Sequence, residues 1–358
     1  QNTDGSSSGR GAYDDLRRMG ATAREMLVAA AAKRWKVDPK ACVAKDGAVT
    51  HPPTGRRLPF GELADAAARL PVPKPAAVKL RPREELTHVN RPSLPLLDGP
   101  AIVAGTAVFG ADMKLPGMLV AVIARPPVVG GKLAKMDATR ARAVPGVRHV
   151  IELPAPAPPW MFQQWGGVAV LADDTWTAMR GRAALDLVWE AGENASYDSA
   201  AYRDTLHEAT RQPGTPLRNV GDVDAALASA ARVVEAEYYV PHLGQLPMEP
   251  PTALAVVADG RCEIWAPTQH PQSARTEAAT VLGLDEKDVT VHVTLLGGAF
   301  GRKSKSDFIR EAAFLAREAK APVRVQWTRE DDVRHGYYNT VNAQRLRAGL
   351  DAAGKVVA

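Results

Sequence analysis

Three glycines, Gly297, Gly298 and Gly301, fall within the run Gly297-Gly298-Ala299-Phe300-Gly301-Arg302-Lys303. Glycine has no Cβ, so backbone N–H groups in such a run can come close to a ligand. A turn of N–H groups beside a helix N-terminus suits anionic or electron-rich atoms. The run is not a dinucleotide loop, because Arg302 and Lys303 occupy the places that the third glycine of G-x-G-x-x-G would need. It also lacks the Gly-Lys-Ser/Thr spacing of a P-loop. Spacing alone leaves an ordinary strand-to-helix turn open as well. Upstream, Thr268-Gln269 offers a hydroxyl and a carboxamide. Glu249, between Met248 and Pro250, sets a carboxylate among apolar neighbours; it reads either as an acid of perturbed pKa or as a buried structural acceptor. His242 has no second metal ligand at helical or hairpin spacing, and reads as a hydrogen-bonded structural histidine. No Ser-His-Asp arrangement is present.

The elements that must hold these groups follow from periodicity. Val289, Val291, Val293 and Leu295 alternate with Thr290, His292 and Thr294, which predicts a strand leading into the glycine run. After it, Phe308, Ile309, Ala312, Ala313, Leu315, Ala316 and Ala319 share one helical face, with Ser306 at the N-cap. Val323, Val325 and Trp327 alternate again as a second strand. Earlier, a helix is expected over 13–35 with Leu16, Met19, Ala23, Leu27, Ala30 and Trp35 inward. Prolines at 71, 73 and 75 then mark a linker. Strands are expected over 118–124, 147–153, 168–172 and 185–189, and a helix after Asp174 with Trp176, Met179, Ala183 and Ala184 inward. Short helices are expected near 201–210 and after Asp222, with a strand at 233–240.

The chain has 358 residues, 46% hydrophobic and 24% charged, the composition of a folded globular protein of two or three domains. The net charge of +5 is spread along the chain, and its basic clusters are too short for nucleic-acid binding. No apolar run is long enough to span a membrane. The two cysteines, Cys42 and Cys262, cannot supply the four thiolates of an iron–sulfur cluster. Any electrons handled here must therefore leave through a partner.

Taken together and in order, Pro247-Met248-Glu249-Pro250, Thr268-Gln269, Gly297-Gly298-Ala299-Phe300-Gly301 and Thr328-Arg329-Glu330-Asp331-Asp332 resemble the molybdenum hydroxylases of the xanthine dehydrogenase and aldehyde oxidase superfamily. The branch most resembled is the large subunit of isoquinoline 1-oxidoreductase and its relatives. The segment Thr3-Asp4-Gly5-Ser6-Ser7-Ser8, whose small polar composition alone also allows a flexible tail, resembles that family's pterin-holding Ser/Thr segment. Gly105, Ala107 to Gly110, Leu115 to Met118 and Ala143 to Val147 resemble the family's small α/β hammerhead domain.

The resemblance implies an α/β (α+β) fold in three parts. These are a helical segment over 1–95 with the Ser-rich start and Pro-rich linker, a hammerhead domain over 96–195, and the first part of a mixed-sheet molybdopterin-binding domain over 196–358. It implies a subunit, or a fragment of one, that hydroxylates N-heteroaromatics or oxidises aldehydes with oxygen taken from water. The alternative is a non-catalytic remnant or assembly module of the same fold. The implied cofactor is molybdopterin, in its cytosine dinucleotide form, carrying molybdenum. The implied partners are a small subunit with 2Fe-2S clusters and an electron acceptor such as a cytochrome c subunit, with a small aromatic or aldehyde substrate. Gln269 would donate to an oxygen of the cofactor. Gly297, Gly298, Ala299, Phe300, Gly301 and Arg302 would pack against it, and Thr3, Ser6, Ser7 and Ser8 would hold the pterin or its phosphate. Ser304 stands where xanthine-type enzymes carry a substrate-binding glutamate, which argues against purines. The family's catalytic glutamate lies beyond residue 358, so no base is assigned and the isolated chain is expected to be inactive. The resemblance implies a bacterial setting, periplasmic or cytoplasmic.

Overall fold

The computed structural model describes residues 2–86, Val89 and 95–358. Residues 3–107 form one compact unit; residues 108–358, with Asn2, form the other.

In the first unit, α1 (Ser7–Trp35) packs on α2 (Phe60–Ala68) and on the antiparallel strands β1 (Val43–Lys45), β2 (Ala48–His51) and β3 (Arg56–Pro59). Their common core is Ala30, Ala31, Val49, Leu58 and Leu63. The sequence places Leu16 and Met19 on the buried face, but they are 62% and 66% exposed. Only the C-terminal part of α1, from Met26 onward, meets the small core; the amphipathic pattern runs further than the sheet that could cover it. A short helix, α3 (Gly99–Val103), closes this unit. Part of the Pro-rich linker, residues 87, 88 and 90–94, lies outside the described residues.

The second unit is built on a seven-stranded mixed sheet. Its members are β4 (Leu119–Ala124), β6 (Val147–Leu153), β7 (Gly167–Ala172), β10 (Thr252–Ala258), β11 (Arg261–Ala266), β12 (Val289–Val293) and β13 (Val323–Gln326), in the order β12-β11-β10-β13-β4-β7-β6. Pairings are antiparallel except β11–β12 and β13–β4. The sheet takes strands from both sides of residue 195, so the expected hammerhead boundary divides the chain but not the sheet. Two ribbons lie outside the sheet: β5 (Lys132–Asp137) with β8 (Asp186–Glu190), and β9 (Arg232–Val240) with β14 (Asn342–Leu350). The remaining helices are α4 (Thr139–Arg142), α5 (Thr175–Ala183), α6 (Ser199–Ala209), α7 (Val223–Ser229), α8 (Pro271–Leu282), α9 (Asp307–Ala319) and α10 (Arg329–His335).

Helices cover both faces of the sheet. On one, α9 buries Phe308, Ile309, Ala312, Ala313, Leu315 and Ala316 against Ala121, Ile123, Ala253, Ala255 and Val325. On the other, α5 lies over Val122 and Ala172. The sequence turns Trp176 and Met179 inward; Met179 does pack against Val122, Ala172 and Ala178, whereas Trp176 is 67% exposed, and the fully buried residues of α5 are Ala178 and Gly181. The reason is space: a Cβ on Gly181 would lie 2.7 Å from Val170 Cγ1 and 2.9 Å from Val147 Cγ2. At Gly181 the helix therefore sits too close to the sheet for any side chain, and Trp176 turns outward.

Candidate functional site

The glycine run leaves the end of β12 and returns to the N-terminus of α9. Three anchors hold it. The first is Glu249. Its Oε2 accepts from the Gly297 N–H at 3.1 Å and from Lys303 Nζ at 2.6 Å, and its Oε1 accepts from the Ala111 N–H at 3.0 Å. The Glu249 N–H donates back to the Gly297 carbonyl at 2.9 Å. Of the two roles the sequence leaves open for Glu249, the geometry is that of a structural acceptor.

The second anchor is Thr268-Gln269. The Gln269 N–H and the Thr268 hydroxyl both donate to the Lys303 carbonyl, at 2.9 and 3.2 Å, and the Gln269 Oε1 accepts from the Gly301 N–H at 3.1 Å. That bond orients the carboxamide plane at the loop. The third anchor is the inward commitment of the two cations. Arg302 is 1% exposed and forms a two-pronged pair with Asp307, at 2.9 and 2.8 Å, while its guanidinium lies 4.9 Å from Trp327 and 5.0 Å from Tyr337. Burial opposes the Arg302 charge, but Asp307 prevails and holds its pKa above the ordinary arginine value. Burial pulls Lys303 below the ordinary lysine value, with Glu249 opposing. Only the backbone of Arg302 is left to face a ligand, because its side chain is spent on the interior.

What remains at the loop surface is main chain. Gly298 and Gly301 have φ of +89° and +90°, and Phe300 has φ +54° with its ring 72% exposed. A non-glycine residue in that region carries strain that the surrounding bonds must hold. Among the described residues, the N–H groups of Gly298, Ala299 and Phe300 donate to no acceptor. A Cβ on Gly301 would meet nothing within 4 Å, whereas one on Gly297 would lie 2.5 Å from Glu249 Cβ. The loop is thus held against Glu249 at Gly297 and open at Gly301, with the three unpaired N–H donors between them. Such a surface fits an anionic or oxygen-rich group. Among the described residues no three His, Cys, Asp or Glu side chains are grouped to hold a metal ion.

The motif Thr328 to Asp332 joins the same construction. Thr328 and Asp331 form a capping box at the start of α10, and Arg329 donates to the carbonyls of Pro247 and Met248 at 2.6 and 3.1 Å. All four motifs singled out in the sequence are therefore one hydrogen-bonded cluster. Behind them, Arg125 pairs with Glu311 at 2.7 Å, and Arg182 with Asp331 at 2.9 Å. Burial pushes the Glu311 carboxyl up despite Arg125. Ser306 occupies the N-cap of α9 but does not cap it; its hydroxyl meets Ser273 instead, at 3.2 Å. His242 shares a hydrogen bond of 2.8 Å with the Tyr197 hydroxyl, in keeping with a structural histidine.

Thr3, Ser6, Ser7 and Ser8 belong to the first unit. Ser7 and Ser8 open the first turn of α1, with Thr3 ahead of the helix; Ser6 stands before it in the left-handed conformation, φ 52°, and the Ser7 hydroxyl donates to the Asp4 carbonyl at 2.8 Å.

Residues 206–358 match the family described as the molybdopterin cofactor-binding domain. The beta subunit of isoquinoline 1-oxidoreductase from Brevundimonas diminuta is 30% identical over 95% of this chain and 47% of its own length. The chain belongs to the molybdenum hydroxylase family. A nicotinate dehydrogenase subunit of Pseudomonas putida is 29% identical over 96% of this chain and 28% of its own length. Quinoline 2-oxidoreductase from Pseudomonas putida 86 superimposes with a TM-score of 0.57 at 20% identity, over 73% of this chain and 37% of that one. The aldehyde oxidoreductase of Desulfovibrio desulfuricans superimposes with a TM-score of 0.58, also at 20% identity, over 74% and 33%. At that identity the likeness is one of fold. This molybdenum hydroxylase chain spans about half the length, or less, of the curated relatives it matches.

Sequence reading missed one feature near the site. Residues Trp160 to Trp165, after the prolines of 154–159, carry an aromatic wall around a cavity. The run Trp160-Met161-Phe162-Gln163-Gln164-Trp165 was the available signal, directly after a stretch, 154–159, that reads as a Pro-rich loop.

Proposed function

We propose that this chain is the molybdopterin-contacting part of a hydroxylase acting on N-heteroaromatic rings or aldehydes. The observation that carries the reading is the loop at 297–301, with three successive N–H groups unused among the described residues and its first glycine forced by the close approach of Glu249. The bound cofactor would supply the oxygen-transferring and electron-accepting centre. The chain's own residues do the positioning. Gly298, Ala299 and Phe300 present backbone donors to it, and Gly301 leaves the approach clear of a Cβ. Gln269, its carboxamide fixed through Oε1 by the Gly301 N–H, is assigned as a donor to a cofactor oxygen. Donors fixed before the reaction cost no reorganisation during it. Thr3, Ser6, Ser7 and Ser8 are assigned to the pterin or its phosphate, and the cytosine dinucleotide form is the proposed cofactor. The relatives named above act on isoquinoline, nicotinate and quinoline rings by their names, which supports an N-heteroaromatic substrate. Electrons are proposed to leave through a small subunit carrying 2Fe-2S clusters and then to a cytochrome c subunit or another acceptor, because Cys42 and Cys262 cannot hold a cluster.

The test is elemental and enzymatic. Protein isolated from its native host should carry molybdenum and a pterin, and should oxidise an N-heteroaromatic or an aldehyde. Molybdenum at background in a preparation that still turns over these substrates would reject the reading.

A further inference from the structure

The loops around Gly130, Trp160 and Tyr337 enclose a cavity of about 400 Å³. That volume lies within the roughly 300–1,000 Å³ of small-molecule sites. Its wall carries the rings of Trp160, Phe162, Trp165, Tyr337 and Tyr338. The rings are braced. Phe162 meets Tyr337 edge-on, with centroids 5.1 Å apart, and Trp165 meets the buried His335 in the same way, also at 5.1 Å. The Tyr337 hydroxyl donates to the Gln163 carbonyl at 2.5 Å, and the Tyr338 hydroxyl to the Val333 carbonyl at 2.6 Å. A Cβ on Gly130 would lie 2.5 Å from the Trp160 ring, so main chain backs that indole directly. Rings fixed in this way offer flat faces to a flat ligand.

The second observation is the charge of the lining. Among the described residues, no Asp, Glu, Lys or Arg lines the cavity. Its polar side chains are amides, hydroxyls and one imidazole. The Gln164 carboxamide oxygen is sealed away and offers an occupant nothing. His242, Asn339 and Thr340 stand at exposed positions on the rim, where water meets them, and His242 Nε2 already shares a hydrogen bond of 2.8 Å with the Tyr197 hydroxyl. Two cations touch the wall without lining the cavity. Lys305 Nζ lies 4.1 Å from the centre of the Phe162 ring, and the Arg302 guanidinium 5.0 Å from that of Tyr337. These contacts tie the wall to the end of the glycine run, which continues through Arg302 to Lys305. With a cation already against them, these two rings have less attraction left for another. An entering cation would thus meet no carboxylate and two partly spent rings. An entering anion would meet no ammonium or guanidinium in the lining. Either would give up water without a countercharge.

We propose that this cavity binds an uncharged, planar aromatic molecule of one or two rings, and that it rejects the same ring once it bears a carboxylate or a quaternary nitrogen. Such binding needs no cofactor. One consequence does rest on the proposed function: among N-heteroaromatic substrates, the complete enzyme would take uncharged rings rather than ring carboxylates.

Quinoline, quinoline-4-carboxylate and N-methylquinolinium share one ring system and differ in charge. At pH 8 quinoline is uncharged, as is a free imidazole. Calorimetric titration of the full chain, with saturation-transfer NMR, should show quinoline binding about tenfold tighter than either charged ring, a modest part of the cost of stripping water from an unpaired charge. Asn339 is exposed, so its side chain can be exchanged without disturbing the core. Asn339→Lys should tighten binding of the carboxylate about fivefold, and Asn339→Asp that of N-methylquinolinium by as much, with quinoline itself within about twofold in both. Equal affinities for the three rings in the wild-type chain would overturn the proposal, as would absence of quinoline binding at millimolar concentration. Charged-ring affinities indifferent to both Asn339 variants would also overturn it, by placing the binding elsewhere. Carboxylate binding as tight as that of quinoline, and lost in Lys305→Met, would replace it with an anion site built on Lys305. Because no molybdenum is involved, these outcomes are separate from those that test the proposed reaction. Selective binding without a matching preference in kcat/KM of the complete enzyme would leave the binding proposal standing and remove only the consequence for substrates.

Discussion

Glu249 illustrates how a loop can be set by one carboxylate. It serves two backbone donors and the Lys303 ammonium, and Lys303 is fully buried. Glu249→Gln removes the countercharge and leaves that ammonium unpaired in the interior, which costs about 3 kcal/mol. Denaturant unfolding should show that loss, and pairing the change with Lys303→Met should recover more than half of it. If Glu249→Gln lost under about 1 kcal/mol, the anchor as described would not exist. Gln269 is a contrasting residue, half-buried at the loop, whose side-chain Oε1 accepts a neutral bond from the Gly301 N–H. Gln269→Ala should change stability by no more than about 1 kcal/mol. In the complete enzyme it should lower turnover about 100-fold, the worth of one preorganised donor; unchanged turnover would place Gln269 outside the site.

At the scale of elements, α5 and α10 each turn on one residue. For Gly181→Ala two effects oppose. Alanine is the better helix former by about 1 kcal/mol, but its methyl would sit 2.7 and 2.9 Å from two valine methyls that cannot swing away. Overpacking of that kind costs about 1–3 kcal/mol, so a net loss is expected on thermal unfolding. A gain would show that the sheet yields. In α10, His335 is 7% exposed and lies edge-on to Trp165, with centroids 5.1 Å apart. Burial, with Arg125 nearby, lowers its pKa from 6.5 to about 4. The folded value lies below the unfolded one, so its contribution to stability is complete above pH 6.5 and is lost as pH falls toward about 4. The amount is about 3 kcal/mol. Between pH 7 and 4 the wild-type chain should therefore lose that much more stability than His335→Gln; parallel pH profiles would show His335 to be solvated.

For the whole molecule, the cysteine inventory bears on the proposed electron path. Cys42 is half-buried, and burial pushes the Cys262 thiol up to about 12, so it stays protonated and inert. A pure preparation of this chain should show no iron–sulfur absorbance in the visible, and a cluster spectrum from the isolated chain would end the proposal of a separate electron-carrying subunit. Among the described residues no helix is long and apolar enough to cross a membrane. The seven-stranded sheet ties residues 119–172 to residues 252–326 through the parallel pair β4–β13.

Local pattern determined much of this. The α9 face from Phe308 to Ala316, the strands around it and the caps at Asp174 and Asp222 follow from periodicity and side-chain oxygen placement, which are properties of a few adjacent residues. The glycine run was legible as a strand-to-helix turn by type and spacing, while its reading as a ligand loop, and the choice of Gln269, came from the family resemblance. Other outcomes depended on what lay across the fold. The exposure of Leu16, Met19 and Trp176 reflects where a partner surface ends or comes too close, which no helical pattern encodes. Arg302 reads as a loop cation but is drawn inward by Asp307, Trp327 and Tyr337. Strands β5, β10 and β11 and the aromatic cavity went unread because their identity lies in pairings between distant segments. Chemistry at a position is written in the sequence; which side of the loop it serves is decided by the packing behind it.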